Sequence, residues 1–417
     1  MFIKQDPMRR VVYSLVPIFL WSVYLYGWRV VALLAFVYLL GIMAEFLFEK
    51  SRNKKVTEAV LVTCALYGLS LPPAVPFWAA GVGIIFAVIV GKEVWGGFGR
   101  NPFNPAITGR TFVYIAFPLM LQTTWMIPGD FGTKAVNILI RGSTWLDAVF
   151  MILLAAALFW YVQKNVGKTR NLIIGFATAI VLTIGFYLFV TYGFPYSKTH
   201  QTSLSELDAI SMATPLEVYK GLAQQNNWHY SLTLFGATAG DLSQNSPLMM
   251  FFGFRTGAIG ESSIFLIIAA GIYLLWTKTA NWRPLMWTIL SGALLTVIFY
   301  YTGVLSSRFP LLAVKADVAG QLSDIFGFLM AGSLLYAAIF MSTDPVSAPK
   351  KPLSQHVYGF IIGGLTITIR VFAGFPEGVS FAILTANTFA SLLDEIMPAK
   401  KKKAAAGQKA VAEGAAT

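Results

Sequence analysis

One cysteine in 417 residues, Cys64, leaves no partner for a disulfide within the chain and no thiolate set for a zinc or iron–sulfur site. The three histidines, His200, His229 and His356, are scattered without ligand spacing, which argues against a zinc centre or a c-type haem. Charge is scarce as well. Only 12% of the residues are Asp, Glu, Lys or Arg, about half of the ~25% usual in soluble domains. No Gly-rich strand–helix segment of the dinucleotide-binding kind is present, so the sequence offers no nucleotide site of that type. What the sequence does have is apolar surface: 56% of it is hydrophobic. Lipid is the solvent that such a composition demands.

Twelve apolar stretches approach the length needed to cross ~30 Å of hydrocarbon. They are 11–27, 29–48, 57–72, 75–91, 111–127, 145–162, 171–193, 261–277, 284–303, 320–341, 356–373 and 378–394. With the N-terminus inside, 22 of the 31 Lys and Arg residues fall on the inner side, as the positive-inside rule asks. The net charge of +12 is thereby explained without a nucleic-acid partner. The run Lys400–Lys403 reads as a solvated inner tail.

The expected fold class is therefore all-α and polytopic, with about twelve transmembrane helices. The chain breaks suggest two inverted five-helix repeats. GGFGRNPFNPAITGRTF (96–112) interrupts the inner side and GFPEGVSFAILTANTF (374–389) the outer side. SLPPAVP (70–76) and STDPVSAP (342–349) form a second opposed pair. The division that follows is 1–127 for the first repeat, 128–195 for an inserted hairpin, 196–260 for an external loop, 261–395 for the second repeat and 396–417 for the tail.

Irregular backbone at membrane depth persists only where it is buried in protein or lines a cavity. In KEVWGGFGRNPFNP (92–105) the glycines permit close approach, Pro102 and Pro105 forbid regular helix, and Asn101 and Asn104 offer amide donors and acceptors. That set suits a planar polar ligand, and equally suits a tight turn with Asn caps. Asp344 stands where span ten must break before Pro345. It is a candidate cation or proton site with Phe340 as an apolar gate one turn away, or an Asx turn. Glu45 and Asp394 lie at span ends, where reaching toward the interface would relieve their charge. Glu377 lies between the last two spans, and Lys92-Glu93 reads as a local charge pair.

In the external loop, SMATPLEVY (211–219) has the form of a helix start: Thr214 as cap, Pro215 first, Glu217 three residues on. Its hydroxyl has no evident base, so self-catalysis is not expected. Thr238, in LFGATAGD, is a comparable outer hydroxyl.

Taken together, KEVWGGFGRNPFNPAITGR, STDPVSAP and PEGVSFAILTANTFASLLD resemble the B subunit of the sodium-translocating NADH:quinone reductase, a pattern shared with the D subunit of the Rnf complex. The Lys-Glu opening, the Arg of GFGRN and the Glu of PEG are nearer to the quinone reductase. The resemblance implies FMN joined by a phosphoester to Thr214, within Ser211-Met212-Ala213-Thr214, attached by a separate flavin transferase; Thr238 is the competitor. It implies non-covalent riboflavin near Asn101 and Asn104, and a quinone site around Gly41 and Glu45. It links Asp344, Glu45 and Asp394 to Na⁺ movement, with Phe340 beside the ion pathway. The implied protein is one component of a bacterial inner-membrane complex, with both termini cytoplasmic. Its partners would be a flavin-bearing outer subunit and an NADH-oxidising subunit. The D subunit of an Rnf complex and a non-redox permease are the alternatives.

Overall fold

The computed structural model describes residues 2–125, 230–234, 237–242, 247–309, 312, 314–373 and 378–397. Ser211, Thr214, Glu377, the hairpin 145–193 and the tail from 398 lie outside the described residues.

Helix α1 (Asp6–Tyr26) opens with proline in its first turn and ends at Gly27, whose φ of 77° no residue with a Cβ adopts cheaply. Helix α2 (Trp28–Ser51) follows directly. Strand β1 (Phe2–Ile3) pairs in parallel with β2 (Val56–Thr57), fastening the start of α1 beside the end of α2. Helices α3 (Ala59–Leu69), α4 (Phe77–Ile89), α5 (Pro105–Ala116) and α6 (Pro118–Thr123) complete the first group. A 3-10 turn, Glu93–Trp95, extends α4. The fifth span thus begins at Pro105 rather than at 111. Asn104 caps it by accepting from the amides of Ala106 and Ile107 at 3.0 and 3.3 Å, and the proline sits where its missing N–H costs nothing.

Strands β3 (Tyr230–Leu234) and β4 (Ala237–Leu242) form an antiparallel hairpin that pairs Thr233 with Thr238. The expectation of a purely helical chain is corrected here: the two strands satisfy their backbone groups by pairing with each other, in a polar interval outside the apolar spans. Helix α7 (Pro247–Phe252) and a 3-10 turn (Ile259–Glu261) lead into α8 (Ile264–Trp276), α9 (Trp282–Tyr301) and α10 (Val304–Arg308). The tenth expected span is broken. Helices α11 (Val318–Met330) and α12 (Leu334–Phe340) meet at 55°, with Gly332 at φ 75° between them. Helices α13 (Pro352–Phe372) and α14 (Val379–Ile396) finish the described chain.

Among the described residues five helical stretches are long and apolar enough to cross a membrane, or six with the bent pair counted as one. This is a polytopic membrane protein. Helix α2 packs on α4 and α4 on α5; in the second group α9 packs on α13 and α13 on α14. The groups join where α1 meets α8 and α5 meets α14.

Three fully buried arginines repair the breaks. Arg29 donates to the carbonyls of Pro73, Ala74 and Val75, Arg255 to that of Met330, and Arg370 to that of Phe328. A carbonyl released from a helix in lipid costs several kcal/mol if left bare, so each arginine permits irregular backbone at that depth.

Candidate functional site at the basal chain breaks

The ends of α2, α4 and α12 and the starts of α1, α5 and α13 converge on one end of the bundle, here called basal. Two of the polar motifs meet there. A cavity of about 70 Å³ is lined by Lys92, Phe98, Asn101, Asn104, Phe340 and Asp344, and closed by Pro7, Met8 and Val11 from α1. Asn101, Asn104, Phe340 and Asp344 are thus brought to one space from separate breaks.

Their hydrogen bonds show what remains to offer. Asn104 uses Oδ1 as the helix cap, while its Nδ2 makes no hydrogen bond among the described residues. Asn101 donates from Nδ2 to the Phe103 carbonyl at 3.0 Å, and its Oδ1 is uncommitted among them. One donor and one acceptor, both on side chains only 4% exposed, are left over at the cavity. Asp344 makes the Asx turn that its place before Pro345 suggests. One carboxyl oxygen accepts from the Val346 amide at 3.1 Å and the other from the Ser347 hydroxyl at 2.8 Å. Burial of the carboxyl raises its pKa from the ordinary aspartate value, against these hydrogen bonds, which lower it. The turn and the cavity position coexist, so capping does not remove Asp344 from the site.

The local pairing of Lys92 with Glu93 that adjacency suggests is corrected by the structure. Lys92 Nζ reaches Glu45 Oε2 at 2.5 Å and Thr57 Oγ1 at 2.9 Å. Glu45 Oε1 accepts from the Thr57 amide and hydroxyl at 3.0 and 2.7 Å. Glu93 instead pairs with Arg52 at 2.8 Å. The 3-10 turn after α4 separates the neighbours and aims them at different partners. Glu45 does not reach for the interface: it is 0% exposed, neutralised inside the protein.

Gly41 is packed rather than open. A Cβ there would lie 2.4 Å from Cys64 Sγ and 3.0 Å from Ile84. Asp394 is also a tie: its carboxylate accepts the Lys350 and Lys351 amides at 2.7 and 3.0 Å, binding the end of α14 to the start of α13. It borders a second basal cavity of about 400 Å³, lined also by Trp95, Arg100, Asn387 and Thr388. Asn101 and Val346 line both cavities. Sequence reasoning missed Lys92 as the partner of Glu45, and the buried Arg110–Glu261 pair at 3.2 Å that ties α5 to the second group. The available signal for the latter was an arginine directly ahead of the fifth apolar stretch, which the structure places inside α5.

A bundle of apolar helices with two breaks that meet at a mostly apolar cavity, to which a few polar side chains are gathered, defines a class: multi-pass membrane proteins with interrupted helices. The particular family follows from comparison. Residues 4–403 match the model of the NQR2, RnfD, RnfE family, and the chain belongs to it. It is similar to the B subunit of the Na(+)-translocating NADH-quinone reductase of Chlamydia pneumoniae, with 30% identity over 389 residues, 89% of this chain and 75% of that one. It is as similar to the D subunit of the ion-translocating oxidoreductase complex of Aeromonas hydrophila, with 30% identity over 401 residues, 94% of this chain and 92% of the relative. The corresponding protein of Actinobacillus succinogenes is 28% identical over 390 residues, 92% of this chain and 90% of the relative. These relatives are components of redox complexes, which supports a role in an oxidoreductase complex.

Proposed function

We propose that the chain is the membrane component of a Na⁺-pumping NADH:quinone oxidoreductase, carrying electrons through covalently bound FMN and riboflavin to quinone. The observation that carries this reading is the basal cavity, where Asn104 Nδ2 and Asn101 Oδ1 stand uncommitted beside Asp344. Isoalloxazine presents carbonyl and ring-nitrogen acceptors and an imide donor, so this donor set fits it. At about 70 Å³ the space takes a few waters or a cation, and a three-ring system needs its walls to part. Met8 is a wall of the kind that rearranges cheaply. The flavin supplies one-electron chemistry; Asn101 and Asn104 orient it, Asp344 offers the anionic oxygens for Na⁺, and Phe340 closes the apolar side.

FMN is assigned to Thr214, with Ser211 in its attachment motif and Thr238 as competitor. Attachment by a flavin transferase on the outer side of a bacterial inner membrane requires the termini to be cytoplasmic. The pairing of α2/α4/α5 against α9/α13/α14 supports two inverted repeats, with the hairpin 145–193 inserted between them as spans six and seven of twelve. Quinone near Gly41 and Glu45 requires that closely packed region to open. An NADH-oxidising subunit and a flavin-bearing outer subunit complete the path.

The second reading, the D subunit of an ion-translocating oxidoreductase complex, is favoured by one observation: the chain spans 92% of the Aeromonas relative but 75% of the Chlamydia one. In-gel flavin fluorescence of the denatured chain, co-expressed with a flavin transferase, tests the redox function. A band present in the wild type and lost in Thr214→Val supports it, and a dark wild-type band overturns it. Reduction by NADH with quinone as acceptor, measured on the purified complex, separates the two complexes.

A further inference from the structure

The first turns of α1 are the thinnest wall of the 70 Å³ cavity. Pro7 lines the cavity and is itself exposed to solvent, so the wall there is one residue thick; Met8 and Val11 line it beside Pro7. The segment is held from outside rather than by its own chain. Gln5, at the N-cap, makes no side-chain bond to the helix. Its amide donates instead to Glu58 Oε2 at 2.6 Å. The same carboxylate takes Arg9, whose Nε lies 2.9 Å from both oxygens and whose Nη2 lies 2.6 Å from Oε1. Glu58 stands at the N-cap of α3 without a side-chain bond to that helix, so its carboxylate serves α1. The pair β1–β2 and the Glu58 amide, which donates to the Ile3 carbonyl at 3.3 Å, run the same way. On the other side Arg10 donates to the Thr277 carbonyl, at the end of α8, at 2.8 Å. The start of α1 thus bridges α3 and α8, one helix from each group, across the cavity. Above it α1 has a built-in weak point. Pro17 brings no N–H to the Tyr13 carbonyl, and the Ser14 hydroxyl donates back to the Val11 carbonyl at 2.7 Å. Both features loosen a helix and let it bend.

We propose that residues 2–13 are a basal lid, latched by Glu58 and hinged at Pro17, whose opening connects the cavity to water on the basal side. The latch is of a strength that allows this. Arg9 is partly exposed, and an ion pair at the surface exchanges its partner for water at small cost. A pair of two-residue strands is marginal by itself. Closed and open lids therefore lie close in free energy, and the closed one is favoured by several small contacts rather than by a buried core. The closed space takes a few waters or a small cation, and Asp344 is the one acid that lines it. An open lid gives either of them a way in and out while the packed helices α2, α3 and α4 stay together. The inference concerns access, and it holds whichever ligand the cavity receives.

The test is cysteine accessibility, to which a chain with one native cysteine is suited. Thr63 and Cys64 are neighbours on α3, but Thr63 lines the cavity, whereas Cys64 is not one of its walls and is 0% exposed. The purified complex in detergent is treated with methanethiosulfonate ethylammonium, a small cationic thiol reagent, and labelling of this chain is followed by peptide mass. Thr63→Cys in a Cys64→Ala chain reports the cavity. Cys64 in the otherwise native chain reports general loosening. Glu58→Ala is expected to speed labelling at position 63 about fivefold or more, the population change that loss of a partly exposed ion pair allows, and to leave the rate at Cys64 as it was. Pro17→Ala supplies the missing helical N–H and is expected to slow labelling at position 63. A rate at 63 that Glu58→Ala leaves unchanged overturns the lid. Equal acceleration at Cys64 overturns it too, because Glu58 would then only stabilise the fold. A rate at 63 that Pro17→Ala does not slow overturns the hinge. Should Thr63→Cys fail to assemble, Thr343→Cys, on the cavity wall that follows α12, is read in the same way.

Discussion

Gly41 separates a packing role from a binding role with two substitutions. It sits in the middle of α2, where glycine costs roughly 0.5–1 kcal/mol relative to alanine, so a structural reason must keep it there. That reason is contact: a Cβ at Gly41 would lie 2.4 Å from Cys64 Sγ on α3 and 3.0 Å from Ile84 Cγ1 on α4. Both neighbours are 0% exposed and have nowhere to retreat. Overpacking of this kind costs ~1–3 kcal/mol, and the closeness of the sulfur puts it at the upper end. Less the gain in helix propensity, Gly41→Ala should destabilise by about 2 kcal/mol. Cys64→Ala removes the opposing atom, so the double variant should return to within ~1 kcal/mol of the wild type. The assay is a thermal-denaturation series of wild type, both single variants and the double in one detergent, with quinone affinity measured alongside. If packing is the reason for Gly41, any loss of quinone affinity in Gly41→Ala recovers in the double variant together with stability. A Gly41→Ala protein as stable as the wild type would refute the packing argument. Recovered stability with quinone binding still lost would place the glycine against the ligand instead.

Asn104 can be divided in the same way, because its two side-chain atoms do different things. Asn104→Asp retains an oxygen cap for Ala106 and Ile107 but loses the uncommitted donor; it should keep its melting temperature and lose riboflavin. Asn104→Leu should lose both, the cap alone being worth about 1 kcal/mol. Asp344 predicts a pH dependence. Its pKa is raised by burial, so protons compete with Na⁺ from a higher pH than at an ordinary aspartate. Na⁺ affinity in a radiosodium binding assay should fall as pH falls, and Asp344→Asn should abolish both the affinity and its slope. Glu58, just outside α3, has a shift of the opposite direction and gives a stability window. The hydrogen-bonded Arg9 guanidinium, at 2.6 Å, is the main cause that holds its carboxyl below the usual glutamate value. A depressed folded value contributes stability that is present above the unfolded pKa and lost as pH falls through the folded one. Melting temperature should therefore drop on acidification more steeply in the wild type than in Glu58→Gln.

The spans are legible in the sequence because lipid enforces one rule, continuous apolar helix, on every segment that crosses it. Asp6–Tyr26, Trp28–Ser51 and Trp282–Tyr301 lie within about five residues of the expected bounds. Pro105 belongs to a helix because Asn104 caps it, although in sequence the two residues look like more of the irregular loop. The break at 331–333 is hidden because AGS is an ordinary small-residue stretch within an apolar span. Its cause is long-range, since carbonyls near it are satisfied by Arg255 and Arg370, 75 and 42 residues away. Pairing of buried charges is illegible for the same reason. Adjacency suggests Lys92 with Glu93, whereas desolvation demands that each buried charge find the partner the fold brings nearest. For Lys92 that partner is 47 residues away.

Convergence of Asn101, Asn104, Phe340 and Asp344 on one cavity follows from the same physics that marks each of them singly. A break in a membrane helix frees backbone groups, and these must be met by side chains or by water in a cavity. Two breaks at one end of a bundle bring their few polar side chains to one cavity, so capping and ligand binding are not rival accounts of these residues. Asn104 caps with its oxygen and leaves its amide nitrogen over; Asp344 closes an Asx turn and still lines the cavity. The atoms that the fold does not use are the ones available for chemistry. Hence the informative substitutions are those that change one atom of a dual-purpose side chain and leave the other in place.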